Sequence, residues 1–348
     1  MIEKQYKQWK IYEVGELFEI YTGGDLILSN LESGNIPVIS HSISNNGVVA
    51  YSKEIGGRRK FDCNKTISLA DRGNFYAYVQ KEDFYIGTRV KALELKYEGS
   101  NKNLLKFICP TINAQAEKFS YGNNCCDSTD SLKILLPTKD DKPDWNYMDM
   151  YIREIENKKK DISNRYIKNK LKDIHFIDIP KLEEKQWGHF EFNRIFKEIK
   201  RGKRLKKDDH LAGDMPYISS RGENNGLDGF IGNKDNVRIY ERCITLANSG
   251  SVGKAFYHPY TFVASDHVTK LENKEMSEYI YIFLLPLISR LQEKYNFNRE
   301  INDIRINREV LLLPITEHGL PDWNYMEQYA KNTIYTHLIR YKDYSSEI

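Results

Sequence analysis

The sequence predicts an α+β protein in which two similar mixed globular domains form a pseudo-two-fold repeat joined by two long antiparallel helices. The hexapeptide Pro-Asp-Trp-Asn-Tyr-Met occurs at residues 143–148 and again at 321–326, about half the chain later. Each copy follows a short apolar run that ends in proline, and each opens a segment with helical periodicity. Six identical residues, tryptophan and methionine among them, indicate an internal duplication.

The repeat also sets the predicted domain boundaries. With 348 residues, the chain is too long for one ordinary hydrophobic core and suits two domains with connectors. We assign residues 1–142 to a first globular domain and 143–179 to a central spacer helix. Residues 180–320 form the second globular domain, and 321–348 a C-terminal spacer helix.

Short strands are predicted near the start of both repeats. Trp9 begins the first repeat and Trp187 the second. The apolar segments 36–40 and 215–219 are each entered through proline. Because proline lacks a backbone N–H, these segments are predicted as edge strands, where that donor is not needed.

The sequence Asn-Asn-Gly follows at residues 45–47 and 224–226. It predicts a tight turn in both repeats, because asparagine and glycine tolerate positive φ. Asparagine side chains on such a turn are also suited to reading base edges, since the amide pairs bidentately with adenine.

A second pair of aligned segments, 67–74 and 244–251, is predicted as a strand that runs into a polar, glycine-containing loop. The second copy continues into residues 252–254, Val-Gly-Lys, which is similar to the end of a phosphate-binding loop. Asn248 stands where that loop needs glycine, and Ala255 where it needs serine or threonine. Nucleotide binding is therefore not predicted here.

A third aligned pair, 84–93 and 262–271, contains Ser-Asp-His at 265–267. Adjacent residues in a strand point to opposite faces, so these three cannot form a hydrolytic triad. The counterpart at 87–89 is Gly-Thr-Arg, which carries no such chemistry. An exchange of histidine for arginine suits a contact residue better than a catalyst.

Two long amphipathic helices are predicted after the hexapeptides, with Asp144 as the N-cap of the first. The first spans about 28 residues, or about 42 Å, and the second about 20 residues, or about 30 Å. Their apolar stripes are predicted to pack against each other. A further helix is predicted over 277–295, with a kink or break at Pro286. The spacer-helix packing residues are Trp145, Met148, Ile152, Ile155, Ile162 and Tyr166, and Trp323, Met326, Ala330, Ile334, Leu338 and Tyr341.

Composition and motifs exclude several classes of protein. No apolar run approaches the roughly 20 residues that span a bilayer, and the N-terminal residues lack a signal-peptide core. The five cysteines have no regular spacing, so a reducing, cytoplasmic location is expected, and no metal site is predicted. The Asn-Pro-Pro-Tyr motif of amino-methyltransferases is absent. A preserved framework around divergent loops is typical of a recognition scaffold, so no catalytic residue is predicted.

The order of these motifs in both halves of the chain resembles that of the specificity (S) subunits of type I restriction-modification systems and of the similar subunits of type IIB systems. The resemblance covers nearly the whole chain. It rests on the duplication, the two hexapeptides and the segments 36–40, 45–47, 247–253 and 266–268.

The resemblance implies that each globular domain is a target recognition domain that reads one half of a bipartite site in double-stranded DNA. The helices would set the spacing and dock DNA adenine methyltransferase subunits, with a restriction subunit or a fused restriction-methylation subunit as a further partner. No cofactor is expected in this chain, and S-adenosylmethionine is expected in the methyltransferase. No membrane partner is expected.

Basic and amide side chains in the loops are the candidate DNA contacts, because cations hold phosphates and arginine pairs bidentately with guanine. In the first domain these are Arg58, Arg59, Lys60, Arg72, Asn74 and Arg89. In the second they are Lys203, Arg204, Lys206, Arg221, Asn224, Asn225, Ser249, Lys254 and His267.

Two other classes of function stay open at this point. A stand-alone metal-dependent nuclease would enlist Asp71, Asp266 and Glu300, although no spacing supports them. A two-domain protein-interaction scaffold would show no salt-dependent binding to duplex DNA.

Overall fold

The computed structural model describes residues 7–72, 74–119, 123–125, 128–296 and 298–347. The chain divides into two compact units, Met1–Ser163 and Asn164–Ile348. Helix and strand are mixed in both units, as the α+β prediction requires. No helix within the described ranges has the length and apolar character needed to cross a membrane.

The described part of the first unit forms three sheets, with strand orders β1-β9-β10, β2-β8-β5-β6 and β4-β3-β7. All pairs are antiparallel except β3 with β7. The strands are β1 Gln8–Glu13, β2 Phe18–Thr22, β3 Ser33–Ile39, β4 Val48–Ser52, β5 Thr66–Ala70, β6 Tyr76–Val79, β7 Tyr85–Ile86, β8 Val90–Leu95, β9 Lys133–Lys139 and β10 Lys142–Pro143. The helices are α1 Val14–Leu17, α2 Lys102–Asn113 and α3 Trp145–Asp173, and α3 continues past Ser163 into the second unit.

The described part of the second unit repeats this topology, with strand orders β11-β20, β12-β19-β16-β17 and β14-β13-β18-β15. The parallel pair is again the third strand of the unit, β13, with β18. The strands are β11 Trp187–Glu191, β12 Glu198–Arg201, β13 Met215–Ile218, β14 Leu227–Ile231, β15 Ile239–Tyr240, β16 Cys243–Ala247, β17 Ala255–His258, β18 Phe262–Ala264, β19 Val268–Glu272 and β20 Val310–Pro314. The helices are α4 Phe192–Ile195, α5 Glu278–Ser289, α6 Leu291–Lys294, α7 Asp303–Asn307 and α8 Trp323–Glu347. The predicted duplication is confirmed at the level of strand order.

The repeated hexapeptide begins the long helix of each unit and fastens it to that unit's core. Asp144 accepts a hydrogen bond from the Tyr147 N–H over 2.9 Å, and Asp322 accepts one from the Tyr325 N–H over 3.1 Å. The predicted N-cap is therefore confirmed, and the second copy has the same one. The hexapeptide methionines, the last of the six residues, are fully buried in the main hydrophobic clusters of their units.

Helices α3 and α8 contain 29 and 25 residues, close to the predicted lengths. Ala330 is buried beside α5 of its own unit, and Ile152, Ile155, Ile334 and Leu338 are half-buried. Farther along the stripes, three side chains are exposed. These are Ile162 at 63%, Tyr166 at 57% and Tyr341 at 48%. The packing of one stripe against the other stays a prediction.

The prediction of edge strands at the Pro37 and Pro216 segments is wrong, since β3 and β13 are each flanked by strands on both sides. Proline is tolerated because the parallel neighbour is short. Strand β7 pairs only with Val38 and Ile39, so the missing N–H of Pro37 breaks no bond on that side. Strand β18 likewise begins its pairing one residue after Pro216.

Of the predicted kink or break at Pro286, the break is wrong, because α5 continues through Pro286 to Ser289. Helix α2 contains Pro110 close to its end in the same way. A proline near the end of a helix removes one internal hydrogen bond, and the remaining contacts of the helix keep it intact. Ser277 caps α5 by accepting from the Ile280 N–H.

Glycine is required where β2 and β12 end. A β-carbon at Gly23 would lie 2.0 Å from the Gly87 carbonyl oxygen, and one at Gly202 would lie 2.0 Å from that of Ser265. Both glycines donate their N–H to the strand beside them, Gly23 to Val90 over 2.9 Å. This close approach brings the ends of β2 and β12 against the loops described next.

Candidate nucleic-acid interface

Three loops meet at one end of each unit, and we call them the three-loop surface. Loop A joins β3 to β4 (residues 40–47) or β13 to β14 (219–226). Loop B joins β5 to β6 (71–75) or β16 to β17 (248–254). Loop C joins β7 to β8 (87–89) or β18 to β19 (265–267).

In the first unit, each of the three loops is hydrogen-bonded to the other two. The Asn74 side-chain amide donates to the His41 carbonyl over 3.4 Å, which joins loop B to loop A. The Asp71 N–H donates to the Arg89 carbonyl over 3.4 Å, joining loop B to loop C. The Gly87 N–H donates to the carbonyl of Ile39, at the start of loop A, over 2.8 Å.

The second unit has the same three connections. The Ser251 N–H donates to Ser220 over 3.2 Å, and the Asn248 N–H donates to His267 over 3.0 Å. The Ser265 N–H donates to Ile218 over 2.9 Å. Two of the three connections are the same backbone bonds in both units, whereas loop B meets loop A through the Asn74 side chain in the first unit and through the Ser251 N–H in the second.

The Asn-Asn-Gly sequence turns loop A in both units, as predicted. Asn45 and Asn46 have φ of 49° and 52°, and Asn224 and Asn225 have 49° and 53°. The glycine that follows also has positive φ and donates its N–H within the turn. All four asparagines are exposed, so their amides face solvent.

The side chains on this shared backbone differ between the units. Arg72 and Arg89 of the first unit are exposed, and neither forms an ion pair with any residue that the structure describes. Arg89 has a φ of 63°, an unfavourable conformation for a side chain of this size and one enriched at functional sites. The matching positions hold Ser249 and His267, whose side chains are hydrogen-bonded to each other.

The side chains of the basic cluster at residues 58–60 form hydrogen bonds and ion pairs with other residues of the first unit. The Arg58 guanidinium donates to the carbonyls of Ile86 (2.8 Å) and Asp25 (2.7 Å). Arg59 donates to Glu94 over 2.6 Å. Glu54, 2.6 Å from Lys60, raises the pKa of that lysine by a hydrogen bond. These three predicted contact residues therefore support the structure around the loops.

In the second unit the predicted residues are distributed around the same end. Lys203, at 2.5 Å from the Asn236 side chain, is exposed, and Arg221 lies 3.1 Å from Asp228. Lys254 is half-buried in loop B. Arg204 and Lys206 are exposed and form no ion pair within the described ranges.

Sequence reasoning missed Arg238, which takes the role of Arg58 in the second unit. Its guanidinium donates to the Arg201 carbonyl over 2.6 Å, where β12 ends. Arg238 stands two residues before Tyr240, which pairs with Phe262, as Arg59 stands two residues before Phe61, which pairs with Phe84, and the two arginines are 179 residues apart. That offset is the signal that identifies it.

A buried polar pair beneath loops A and B was also missed. The Gln80 amide donates to Ser68 Oγ over 2.8 Å and to the Asn46 carbonyl over 2.9 Å. In the second unit, His258 Nε2 lies 2.8 Å from Thr245 Oγ1 at the equivalent position. Burial lowers the pKa of His258 to about 4, so the ring is neutral at physiological pH.

The residues of the nuclease alternative are not repeated between the units. Asp71 is buried in the first unit, 4.0 Å from Lys91. Asp266 belongs to the second unit and lies 3.9 Å from His267, and Glu300 is exposed there. The two equivalent positions, Asn248 for Asp71 and Thr88 for Asp266, carry no carboxylate.

Asp62, Cys63 and Asp83 have potential metal-ligand atoms that all lie within 4.8 Å of one another, a grouping that their sequence spacing did not indicate. Both carboxylates already have backbone partners. Asp83 accepts from the Cys63 N–H over 3.0 Å, and Asp62 accepts from the Asn64 N–H over 2.8 Å. The two carboxylates therefore cap the turn before β5.

Comparisons with known proteins match both units. The model of the family "Type I restriction modification DNA specificity domain" matches residues 6–164 and 177–340. The type II restriction enzyme BgcI specificity subunit S.BcgI of Heyndrickxia coagulans is 30% identical over 332 residues, which cover 92% of this chain and 93% of that protein. The S subunit of a type I restriction-modification system from M. genitalium has a similar structure, with a TM-score of 0.59 and 15% identity over 100% of this chain and 94% of that chain.

Proposed function

Because the chain belongs to the family of type I restriction modification DNA specificity domains, we propose that each unit binds one half of a bipartite target in double-stranded DNA. The three-loop surface is the reading surface in both units. The chain supplies the sequence specificity of a restriction-modification complex, and the chemistry is carried out by other subunits.

One observation carries this proposal. The three-loop surfaces of the two units share the backbone hydrogen bonds from loop B to loop C and from loop C to the start of loop A, while the side chains at two loop positions change from Arg72 and Arg89 to Ser249 and His267. A catalytic site would keep its reacting groups in both copies. A surface that keeps its backbone and varies its side chains suits the reading of two different sequences.

The charge of the loops fits a nucleic-acid ligand. Arg72 and Arg89 present donors free of carboxylates among the described residues, and arginine binds the guanine edge or a phosphate bidentately. The exposed asparagines of loop A add amide groups, which pair with adenine. Basic residues that flank the loops would hold phosphates and fix the register on the duplex.

The long helices would set the distance between the half-sites and dock DNA adenine methyltransferase subunits. Helices of 29 and 25 residues extend about 44 and 38 Å. That length suits half-sites about one turn of B-DNA apart, roughly 34 Å. The methyltransferase would bind S-adenosylmethionine and flip the adenine out of the duplex. A restriction subunit, separate or fused to the methyltransferase, would complete the complex.

The test is to produce the chain together with a DNA adenine methyltransferase from the same host and to footprint the purified complex on its target. We expect two protected blocks separated by an unprotected gap. Methylome sequencing of the host with and without the gene should show a split motif that disappears with the gene. One continuous protected block, or an unchanged methylome, would contradict the proposal.

The purified chain alone should neither cleave nor methylate DNA in the presence of Mg²⁺ and S-adenosylmethionine. Cleavage that Asp266→Ala abolishes would favour the nuclease alternative. Binding to duplex DNA should weaken steeply as salt rises, because neutralised phosphates release counterions. A chain that binds proteins but shows no such dependence would be an interaction scaffold.

A further inference from the structure

A turn outside the three loops lies next to loop B of the second unit. The Arg299 N–H donates to the Asn296 carbonyl over 2.9 Å, and the two residues form an isolated antiparallel bridge. The chain enters this turn from Tyr295 and leaves it through Ile301, which are 3% and 1% exposed. We call Asn296 and residues 298–299 the arginine turn. Its two ends are fixed in the core.

The arginine turn is tied to loop B of the three-loop surface. The Ile301 N–H donates to the carbonyl of Asn248, the residue before Ser249, over 3.1 Å. The Arg201 guanidinium donates to the Ile301 carbonyl over 3.1 Å and to the Asp303 carboxylate over 2.7 Å. These bonds hold the turn at the edge of the surface that the second unit presents.

The Arg299 side chain is exposed, and its guanidinium carbon lies 5.4 Å from the centre of the Tyr295 ring. Tyr295 is itself fixed by a hydrogen bond from its hydroxyl to Glu309. Arg299 forms no ion pair with the described residues of its unit, whereas Asp303 nearby is already paired with Arg201. A cation positioned by an aromatic ring and free of carboxylates has its donors available for an anion.

We propose that Arg299 contacts the sugar-phosphate backbone of the half-site bound by the second unit, as a fourth DNA-contacting element. This inference rests on the proposed function. The second unit is where such a contact matters. Arg221 pairs with Asp228, and His267 stands where the first unit has Arg89, so the described loops of the second unit hold fewer unpaired arginines than those of the first. Phosphate contacts from the edge of a reading surface fix its register on the duplex.

The test measures the affinity of the full chain for a mixed-sequence duplex over a series of KCl concentrations. Arg299→Ala should weaken binding at every salt concentration and reduce the slope of log K against log salt by about 1, as expected for one lost phosphate contact. Arg299→Lys should keep the wild-type slope. Arg290→Ala is the matched control, because Arg290 is an exposed arginine of the same unit that pairs with Glu293 over 3.6 Å. It should leave the slope unchanged.

The outcomes separate the two proposals. A wild-type chain without salt-dependent DNA binding would overturn the proposed function. Wild-type binding with equal slopes for Arg299→Ala and Arg290→Ala would overturn this inference alone. An unchanged slope together with a changed base in the methylated motif would mean that Arg299 reads a base, which also overturns the phosphate assignment. Thermal melting of each variant, and Arg299→Gln as a second uncharged variant, separate loss of contact from loss of fold.

Discussion

The ammonium group of Lys185 lies 2.8 Å from a carboxylate oxygen of Asp322, and the Lys7 ammonium lies 2.5 Å from that of Asp144. Lys7 is the residue before β1, Lys185 lies two residues before β11, and both aspartates cap a long helix. Each lysine also lies 4.8 Å from the ring centre of the hexapeptide tyrosine. The repeated hexapeptide is therefore a joint between the first strand and the long helix, made identically in both units.

Substitutions at Asp322 should separate the cap from the ion pair. Asn is as good an N-cap as Asp, so Asp322→Asn should lower the free energy of unfolding by less than about 1 kcal/mol. Asp322→Ala removes both contacts and should cost about 2 kcal/mol. Urea unfolding of the full chain measures both values. Asp144→Asn and Asp144→Ala should follow the same order, and equal effects of Asn and Ala would contradict a capping role.

The stability of the second unit should depend on pH through His258. The buried ring has a pKa of about 4, whereas histidine in an unfolded chain titrates near 6.5. The unfolded chain therefore binds a proton in this range and the folded chain does not. Stability is complete above about pH 6.5 and falls as pH drops toward 4, by up to about 3 kcal/mol in total.

His258→Gln tests this directly, because glutamine occupies the equivalent position in the first unit as Gln80. The variant should fold and lose most of the pH dependence between 6.5 and 4 in urea titrations. His189→Gln serves as the control, because His189 is an exposed histidine on β11, and this variant should keep the pH dependence of stability. An unchanged pH profile in His258→Gln would show that another group is responsible.

Arg59 should contribute to stability and not to DNA binding. Its guanidinium pairs with Glu94 and lies 4.0 Å from the ring centre of Tyr21. In the second unit the cation beside the matching carboxylate, Glu272, comes from strand β19. Lys270 pairs with Glu272 over 3.0 Å, and its hydrogen bonds to Glu198 and Glu272 raise its pKa although burial opposes the charge.

We expect Arg59→Ala to lower the urea midpoint and to leave the salt dependence of DNA binding unchanged. Arg59→Lys should restore part of the stability, as the lysine in the second unit suggests. Arg72→Ala is the converse variant, with an unchanged midpoint and weaker DNA binding. Loss of DNA affinity in a well-folded Arg59→Ala protein would show that Arg59 contacts DNA.

The sequence was informative where the two copies could be compared. The duplication, the N-cap and the asparagine turns all follow from residues that recur at an offset of about 178. Lys7 and Lys185 recur at that offset too and identify the ion pair in retrospect. The pairing of strands distant in sequence could not be predicted. Proline in β3 and β13 indicated edge strands, but each has a short parallel neighbour whose pairing begins after the proline. The engagement of Arg58 and Arg59 by carbonyl, carboxylate and aromatic groups distant in sequence was invisible for the same reason.

Exchanging loop residues between the units should alter one half of the target. Arg72→Ser with Arg89→His places the Ser249 and His267 side chains on the equivalent backbone of the first unit. Each specific base contact that is lost should cost about 1–3 kcal/mol of discrimination, so guanine preference in the first half-site should relax while the second half-site stays unchanged. Methylome sequencing of cells that carry the variant and its methyltransferase reads both halves at once. The matched control is Arg290→Ala, because Arg290 is an exposed arginine outside the three loops and the two long helices and pairs with Glu293 over 3.6 Å. A changed second half-site, or an intact first one, would show that Arg72 and Arg89 do not read the sequence.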